Sequence, residues 1–196
     1  MNLGWNIESL ITVSSIIASL IGIVWIMKHD WKRYGLLFLC SVLVGNLLCF
    51  LFILFGFYSY PYRLFPGLSE MPILAISTAF PFLVLIGVRY CPKAWPWKIP
   101  FYWVIVHLGL AAESYAIEQT NLIRYEYQWN FWDSYTWWWI YLLLFEWIGG
   151  LLIPPHNRKP IPIKTLRYGR LGWALVHFIL IVTIFMFGYL LGRYAP

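Results

Sequence analysis

Six apolar runs, near residues 10–27, 35–57, 71–88, 101–119, 135–153 and 172–191, dominate the sequence. Each has about the length an α-helix needs to cross a hydrocarbon core of about 30 Å. In lipid the backbone finds no water to bond, so a spanning segment must close its own hydrogen bonds as a helix, or join a closed barrel. Barrel strands alternate apolar and polar residues over about ten positions. These runs are continuous instead, which predicts an all-α polytopic bundle of about six spans, one domain over 1–196. Charged residues make up 11% of the chain, against about 25% in an ordinary soluble domain. The net charge of +6 is placed between apolar runs rather than interleaved with stacking aromatics on a soluble scaffold, so nucleic acid is not the expected partner.

The basic residues set an orientation. Lys28, Lys32 and Arg33, then Arg89, Lys93 and Lys98, then Arg158, Lys159, Lys164, Arg167 and Arg170 fall in every second connection. The alternate connections hold Arg63 and Arg124 beside Glu70, Glu118, Glu126 and Asp133, while the termini add Glu8 and Arg193. The positive-inside rule puts the first set in the cytoplasm and both termini outside. Tryptophans gather at the same span ends, an aromatic belt to which Trp147, near the middle of span five, is the exception. The start, MNLGWNIESL, lacks the basic region of a secretory signal, so the first run is expected to remain as a span.

Small residues mark close helix approaches: Ser14, Ala18 and Gly22 in span one, Gly188 and Gly192 in span six. Pro81, in the middle of span three, removes one backbone donor and should bend that helix. The segment PPHNRKPIPIK cannot be helical throughout. Cys40, Cys49 and Cys91 form no CxxC pair and are odd in number, so they indicate neither a disulfide framework nor a zinc site and read as small buried hydrophobes; GxSxG, P-loop and GxGxxG motifs are missing, so no soluble cofactor is expected.

Chemistry resides in two polar sets. If span four begins near Phe101, Glu113 lies about 18 Å and Glu118 about 25 Å along it. A carboxylate at the depth of Glu113 must face a partner, water or the bundle interior. Glu113 is the candidate acid and Glu118 its partner, with Arg124 the nearby cation. Tyr125, Tyr127, Trp129 and Trp132 are expected to roof an outward-facing pocket, with Trp137 and Tyr141 as further ligand-binding residues. The alternative is that Glu113 is hydrogen-bonded glue between helices and that Glu118 and Glu126 are solvated residues of the interface. In the second set His107, Glu146 and His177 fall about 9 to 11 Å from the inner ends of spans four, five and six. That common depth permits a proton relay, a two-His, one-carboxylate metal site or a structural cluster, the last being the simplest. Asn46, in span two, reads as an interhelical hydrogen-bond former.

The pattern E-x4-E-x-T-x2-I-x-Y-x3-W, running through Glu113, Glu118, Thr120, Ile123, Tyr125 and Trp129 to Trp132 and Ser134, resembles the central block of an uncharacterised family of small polytopic membrane proteins from spore-forming bacteria. That resemblance implies a multi-pass protein of the bacterial plasma membrane and brings no activity with it. In size, helix count and acids set among aromatics the chain is also similar to membrane-embedded terpene cyclases and lycopene-cyclase-like proteins. This likeness implies an acid that protonates an alkene or epoxide, here Glu113 with Glu118, and rings that stabilise the cation, here Tyr125, Trp129, Trp137 and Tyr141. Three functions follow as expectations. The first is a protein binding lipid or an apolar isoprenoid in the pocket, with membrane lipids as partners; the others are an acid-initiated isoprenoid cyclase and a small proton-coupled transporter.

Overall fold

The computed structural model describes residues 4–162 and, beyond them, scattered positions between 177 and 192. The chain divides into two compact units, Met1–Pro160 and Ile161–Pro196. In the second unit the described residues from His177 onward are helical. Most of the sixth apolar run, 172–191, lies outside the described residues.

The first unit consists of five long helices: α1 (Ile7–Met27), α2 (Trp31–Leu54), α3 (Ile73–Tyr90), α4 (Trp95–Gln119) and α5 (Phe131–Leu152). Two short strands, β1 (Tyr58–Ser59) and β2 (Arg124–Tyr125), pair antiparallel. Side chains start the helices: Asn6 accepts from Ser9 N to begin α1, and Asp30 accepts from Arg33 N to begin α2. Asn130 and Asp133 form a reciprocal capping box at the start of α5. Helix α2 stops at Leu54 because the chain turns through Gly56, whose φ of 73° suits a residue without Cβ. Residues 55–57, expected in span two, therefore lead into β1.

Helix α4 begins at Trp95, six residues before the expected start of span four. Pro96 sits in its first turn, where a missing N–H costs nothing, and the helix continues through Pro100. Lys98, expected in a connection, is thereby a helical residue. Helix α3 likewise continues through Pro81, which is fully buried.

Helices α1, α2 and α3 are long and apolar enough to cross a membrane. The packing explains where the surface is apolar. Leu36, Leu39, Leu43, Leu47, Phe50 and Leu54 repeat every three or four residues along α2, and all are exposed. Ile17, Ile21 and Val24 do the same on α1. A contiguous apolar face of that size is unusual for a protein surrounded by water and is consistent with a membrane protein. The core lies on the opposite faces, where Ile23, Ile26, Tyr34, Leu37, Val84, Leu85, Tyr102, Val106, Leu142 and Phe145 close on one another.

Helix α3 packs on α1 and α2, and α5 packs on α2, α3 and α4. The α1–α3 contact depends on Gly22, where an added Cβ would clash with the edge of the Phe82 ring. Gly22→Leu is expected to separate these helices at a cost of about 1 to 3 kcal/mol, read as a lower unfolding temperature in detergent. An unchanged temperature would mean that the Phe82 ring has another place to go.

Asn46 acts as expected, donating to Ser77 Oγ of α3 at 2.9 Å and to the Val42 carbonyl at 2.8 Å. At the end of the unit that holds the α1–α2 turn, the segment after α5 folds back over the bundle. Asn157 is its anchor: its amide donates to Asp30 at 2.6 Å, and its carbonyl accepts from Tyr34 at 2.9 Å. Lys159 N donates to the Arg89 carbonyl beside it.

Candidate functional site

The opposite end of the first unit is closed by the α2–α3 and α4–α5 connections. Besides the Tyr58–Tyr125 and Ser59–Arg124 pairs, Glu126 N donates to the Phe57 carbonyl and Tyr62 N to the Asn121 carbonyl, each at 2.9 Å. Tyr127 and Gln128 take left-handed backbone, turning the chain from β2 back toward the start of α5. Trp129 then packs against Phe52, Phe57 and Tyr58. Glu8 of α1 accepts from Asn121 N at 3.2 Å, so the start of the chain is tied to the same cap.

Under this cap Glu113 is the centre of a polar network. Tyr125 Oη and Ser134 Oγ each donate to its Oε1 at 2.8 Å, and Trp138 Nε1 donates to Oε2 at 2.8 Å. Ser134 in turn accepts from Trp129 Nε1 at 2.9 Å and lies 3.1 Å from Tyr58 Oη. An indole N–H can only donate, so Trp138 and Trp129 fix the direction of the chain of bonds. Burial, reinforced by the nearby Glu113 charge, raises the Tyr58 and Tyr125 phenols, and burial raises Tyr60. These hydroxyls stay protonated and available as donors. Among the described residues no cation pairs with Glu113; hydrogen bonds alone hold its carboxyl group.

Gly109 makes the network accessible to α5. It stands one helical turn before Glu113 on the same face, and a Cβ there would lie 2.7 Å from Trp138 Cη2. The gap left by glycine lets the indole lie against α4 and reach the acid. Phe80 of α3 stacks on the other side of Trp138, with ring centroids 4.9 Å apart.

Beside the network lies a cavity of about 880 Å³, bounded by α1 to α5 and by the residues 58–72 connection. Its wall is mostly apolar. Phe80, Trp137, Trp138 and Tyr141 are among the residues that present rings to it, and Glu113 and Arg63 are its acidic and basic side chains. Tyr141 uses its hydroxyl elsewhere, bonded to Ser41 Oγ at 2.7 Å and to the Ser41 carbonyl at 3.1 Å.

Of the residues expected at the site, Glu113, Trp137 and Tyr141 line the cavity, whereas Tyr125 and Trp129 belong to the cap above it. Glu118 does not pair with Glu113: five residues apart on one helix they point about 140° from each other, and Glu118 is exposed. Arg124 is exposed and donates to Asn121 at 3.0 Å, while Glu126 accepts from Ser59 at 2.8 Å. Tyr127 is 73% exposed and roofs nothing. Trp132 packs with Phe131 and Tyr135 on the rim of α5, outside the cavity wall.

The second polar set is assembled differently from the sequence expectation. Glu146 accepts from Lys98 Nζ at 2.6 Å and from Tyr102 Oη at 2.9 Å, with Arg158 Nη1 at 3.5 Å. The partners of this carboxylate are thus cations and a phenol. His107 bonds through Nδ1 to the Trp103 carbonyl of its own helix at 2.8 Å and stacks near Trp103 and Tyr135. His177 is in the second unit, on a helical stretch where it is exposed. Cys91, beside this cluster, has its thiol pushed up to about 12, first by burial and then by the Glu146 charge.

Two residues escaped the sequence reading. Trp138 was legible only as part of an aromatic belt, although Gly109 and Glu113 at i and i+4 already describe a notch beside an acid. Arg63 was legible only as one charge of the alternate connections, although it is the lone cation of the aromatic, Pro-rich stretch YSYPYRLFP, and it proves to line the cavity. Compared with protein-family models, curated proteins and solved structures, the chain finds no match in any of the three.

Proposed function

We propose that this chain is a multi-pass protein of a bacterial plasma membrane that binds a lipid or other apolar ligand in the capped cavity, which faces outward. The cavity carries the reading. At about 880 Å³ it falls within the range of small-molecule sites, about 300 to 1,000 Å³, and it combines apolar walls with a few placed polar groups, as such sites do. Apolar stripes on α4 (Val104, Leu108, Tyr115) and α5 (Ile140, Leu144, Trp147, Leu151) favour placing these helices in lipid too. With the sixth apolar run they make six spans.

The end bearing Lys28, Lys32, Arg33, Lys93 and Lys159 then faces the cytoplasm, and the cap, with Glu8, Glu70, Glu118, Glu126 and Asp133, faces outward. The resemblance of the Glu113-to-Trp129 block to a family from spore-forming bacteria is kept as part of this proposal. The block's residues build the cap and its acid centre, which gives that pattern a physical purpose.

Isoprenoid cyclisation is the second reading, favoured by one observation: Glu113 shares the cavity wall with many aromatic rings, among them Phe80, Trp137, Trp138 and Tyr141. The bonding of Glu113 weighs against it. Both carboxyl oxygens already accept from donors, which suits an acceptor better than an acid waiting for substrate. A transporter with helices broken at the midplane has less support, because α1 to α5 each run unbroken.

Filling the cavity tests the proposal. Ala79 lines it from α3, and Ala79→Trp is expected to abolish the stoichiometric apolar adduct that native mass spectrometry and lipid extraction detect on gently purified wild-type protein. Bulk phospholipid alone on both proteins would sink the reading. A co-purified isoprenoid that is chemically altered by wild type and unaltered by Glu113→Gln would replace it with the cyclase.

A further inference from the structure

Resting on the cavity reading, we infer that the ligand is an anionic lipid whose acidic head group is held by Arg63 while its chains occupy the apolar cavity. Arg63 lies in the connection between β1 and α3 and is half-buried at the cavity wall. Its guanidinium is positioned rather than free: Nη1 donates to the Tyr60 carbonyl at 2.7 Å and to the Glu70 carbonyl at 3.3 Å. The remaining donors are not matched. Nε is buried without a hydrogen-bond partner, and among the described residues no carboxylate pairs with the charge. A half-buried, fixed guanidinium with no carboxylate beside it keeps its charge for a ligand, and its fork of parallel N–H groups fits a phosphate or carboxylate.

The surroundings agree with that occupant. Ser69, also in the cavity wall, accepts from Met71 N at 3.1 Å, which leaves its own hydroxyl proton to donate to a head group. The carboxylate of the wall, Glu113, is held by Tyr125, Ser134 and Trp138 and is not paired with Arg63. A cation at the rim of an apolar chamber matches the shape of an amphiphile: one charged end and a long apolar remainder. The other cation of the cap, Arg124, is exposed and is not in the cavity wall, so Arg63 is the basic side chain placed to meet an anion there.

The test measures head-group preference separately from chain binding. Purified protein in neutral detergent is offered equimolar phosphatidylglycerol and diacylglycerol with the same acyl chains, and bound lipid is read by native mass spectrometry. Wild type is expected to prefer phosphatidylglycerol by about tenfold or more, the scale of charge-assisted hydrogen bonds. Arg63→Gln should bring the ratio close to one while still binding diacylglycerol, and Arg63→Lys, which keeps the charge and loses the fork, should fall between.

An equal ratio in wild type, or an unchanged ratio in Arg63→Gln, would overturn the inference. Should Arg63→Gln fail to fold, the comparison of Arg63→Lys with wild type decides in the same way, a reduced ratio supporting and an unchanged one refuting. Ala79→Trp separates the two levels of the argument. If it binds both lipids like wild type, the cavity reading itself is wrong; if it loses both while Arg63→Gln keeps the wild-type ratio, only the head-group assignment is wrong.

Discussion

Glu146→Leu is expected to destabilise the protein by about 3 to 5 kcal/mol, a fall in unfolding temperature on the order of 10 °C. The reason is the asymmetry of buried ion pairs. Glu146 sits between Lys98 of α4 and Arg158 of the returning segment, with side-chain exposures of 10%, 19% and 15%. Removing the acid leaves two cations and the Tyr102 hydroxyl facing each other in a poorly solvated site. Glu146→Gln should cost less, since its carbonyl can still accept from Tyr102 or Lys98.

The second half of the argument predicts recovery. Replacing Lys98 and Arg158 by methionine in the Glu146→Leu background should restore most of the lost stability, because an apolar substitute for a complete buried cluster is often neutral. Thermal unfolding of the single and combined variants in detergent measures the coupling. If Glu146→Leu unfolds at the wild-type temperature, the cations reach water and the cluster is a solvated surface group. A proton relay through Glu146 predicts a different pattern, in which Glu146→Gln abolishes function without affecting stability.

This cluster also shows where the sequence was legible and where it was not. The helical runs could be read because a lipid-exposed backbone has few options, and the apolar stretches mark them. Their ends could not be read with equal safety. The apolar run begins at Phe101, but the helix begins at Trp95, since proline in a first turn is compatible with helix. That displacement of six residues moved Lys98 from a loop into the start of a helix, and hence to Glu146. Depth along a span identified Glu146 and His107 as neighbours in height. It carried no information on azimuth, and azimuth decides contact in a bundle.

The same limit applied at the other end. Glu113 was found because a carboxylate inside an apolar run is conspicuous, whereas the five-residue spacing to Glu118 should have argued against the pair from the start. The donors around Glu113 come from β2 and α5, and nothing local in the sequence links them to α4. Trp138, flanked by Trp137 and Trp139, is one of three adjacent indoles in the sequence. Only packing distinguishes them: Trp137 faces the cavity and Phe52, Trp138 faces Glu113, and Trp139 lies against Tyr135.

Glu113 itself gives the most discriminating prediction. Glu113→Ala is expected to cost about 3 kcal/mol or more, because it strands the Trp138 indole, the Tyr125 phenol and the Ser134 hydroxyl, each an unsatisfied donor worth about 1 to 3 kcal/mol. Relaxation and alternative partners in a membrane bundle reduce such sums, so the total stays below a simple addition.

The informative variant is Glu113→Gln. A glutamine can accept at one position only, so if its carbonyl serves Tyr125 and Ser134, its amide group meets the Trp138 N–H donor to donor. Glu113→Gln should therefore be destabilised by about 1 to 3 kcal/mol, and Trp138→Phe, which removes the conflicting N–H while keeping the ring on Phe80, should recover much of that loss. A coupling of about 1 kcal/mol or more between the two substitutions, measured by thermal unfolding, would establish Glu113 as an acceptor that holds cap and helices together around the cavity. Strict additivity would mean that the indole is not bonded to the acid. In that case Oε2 of Glu113 would be open to the ligand, and the cyclase reading would gain what the binding reading loses.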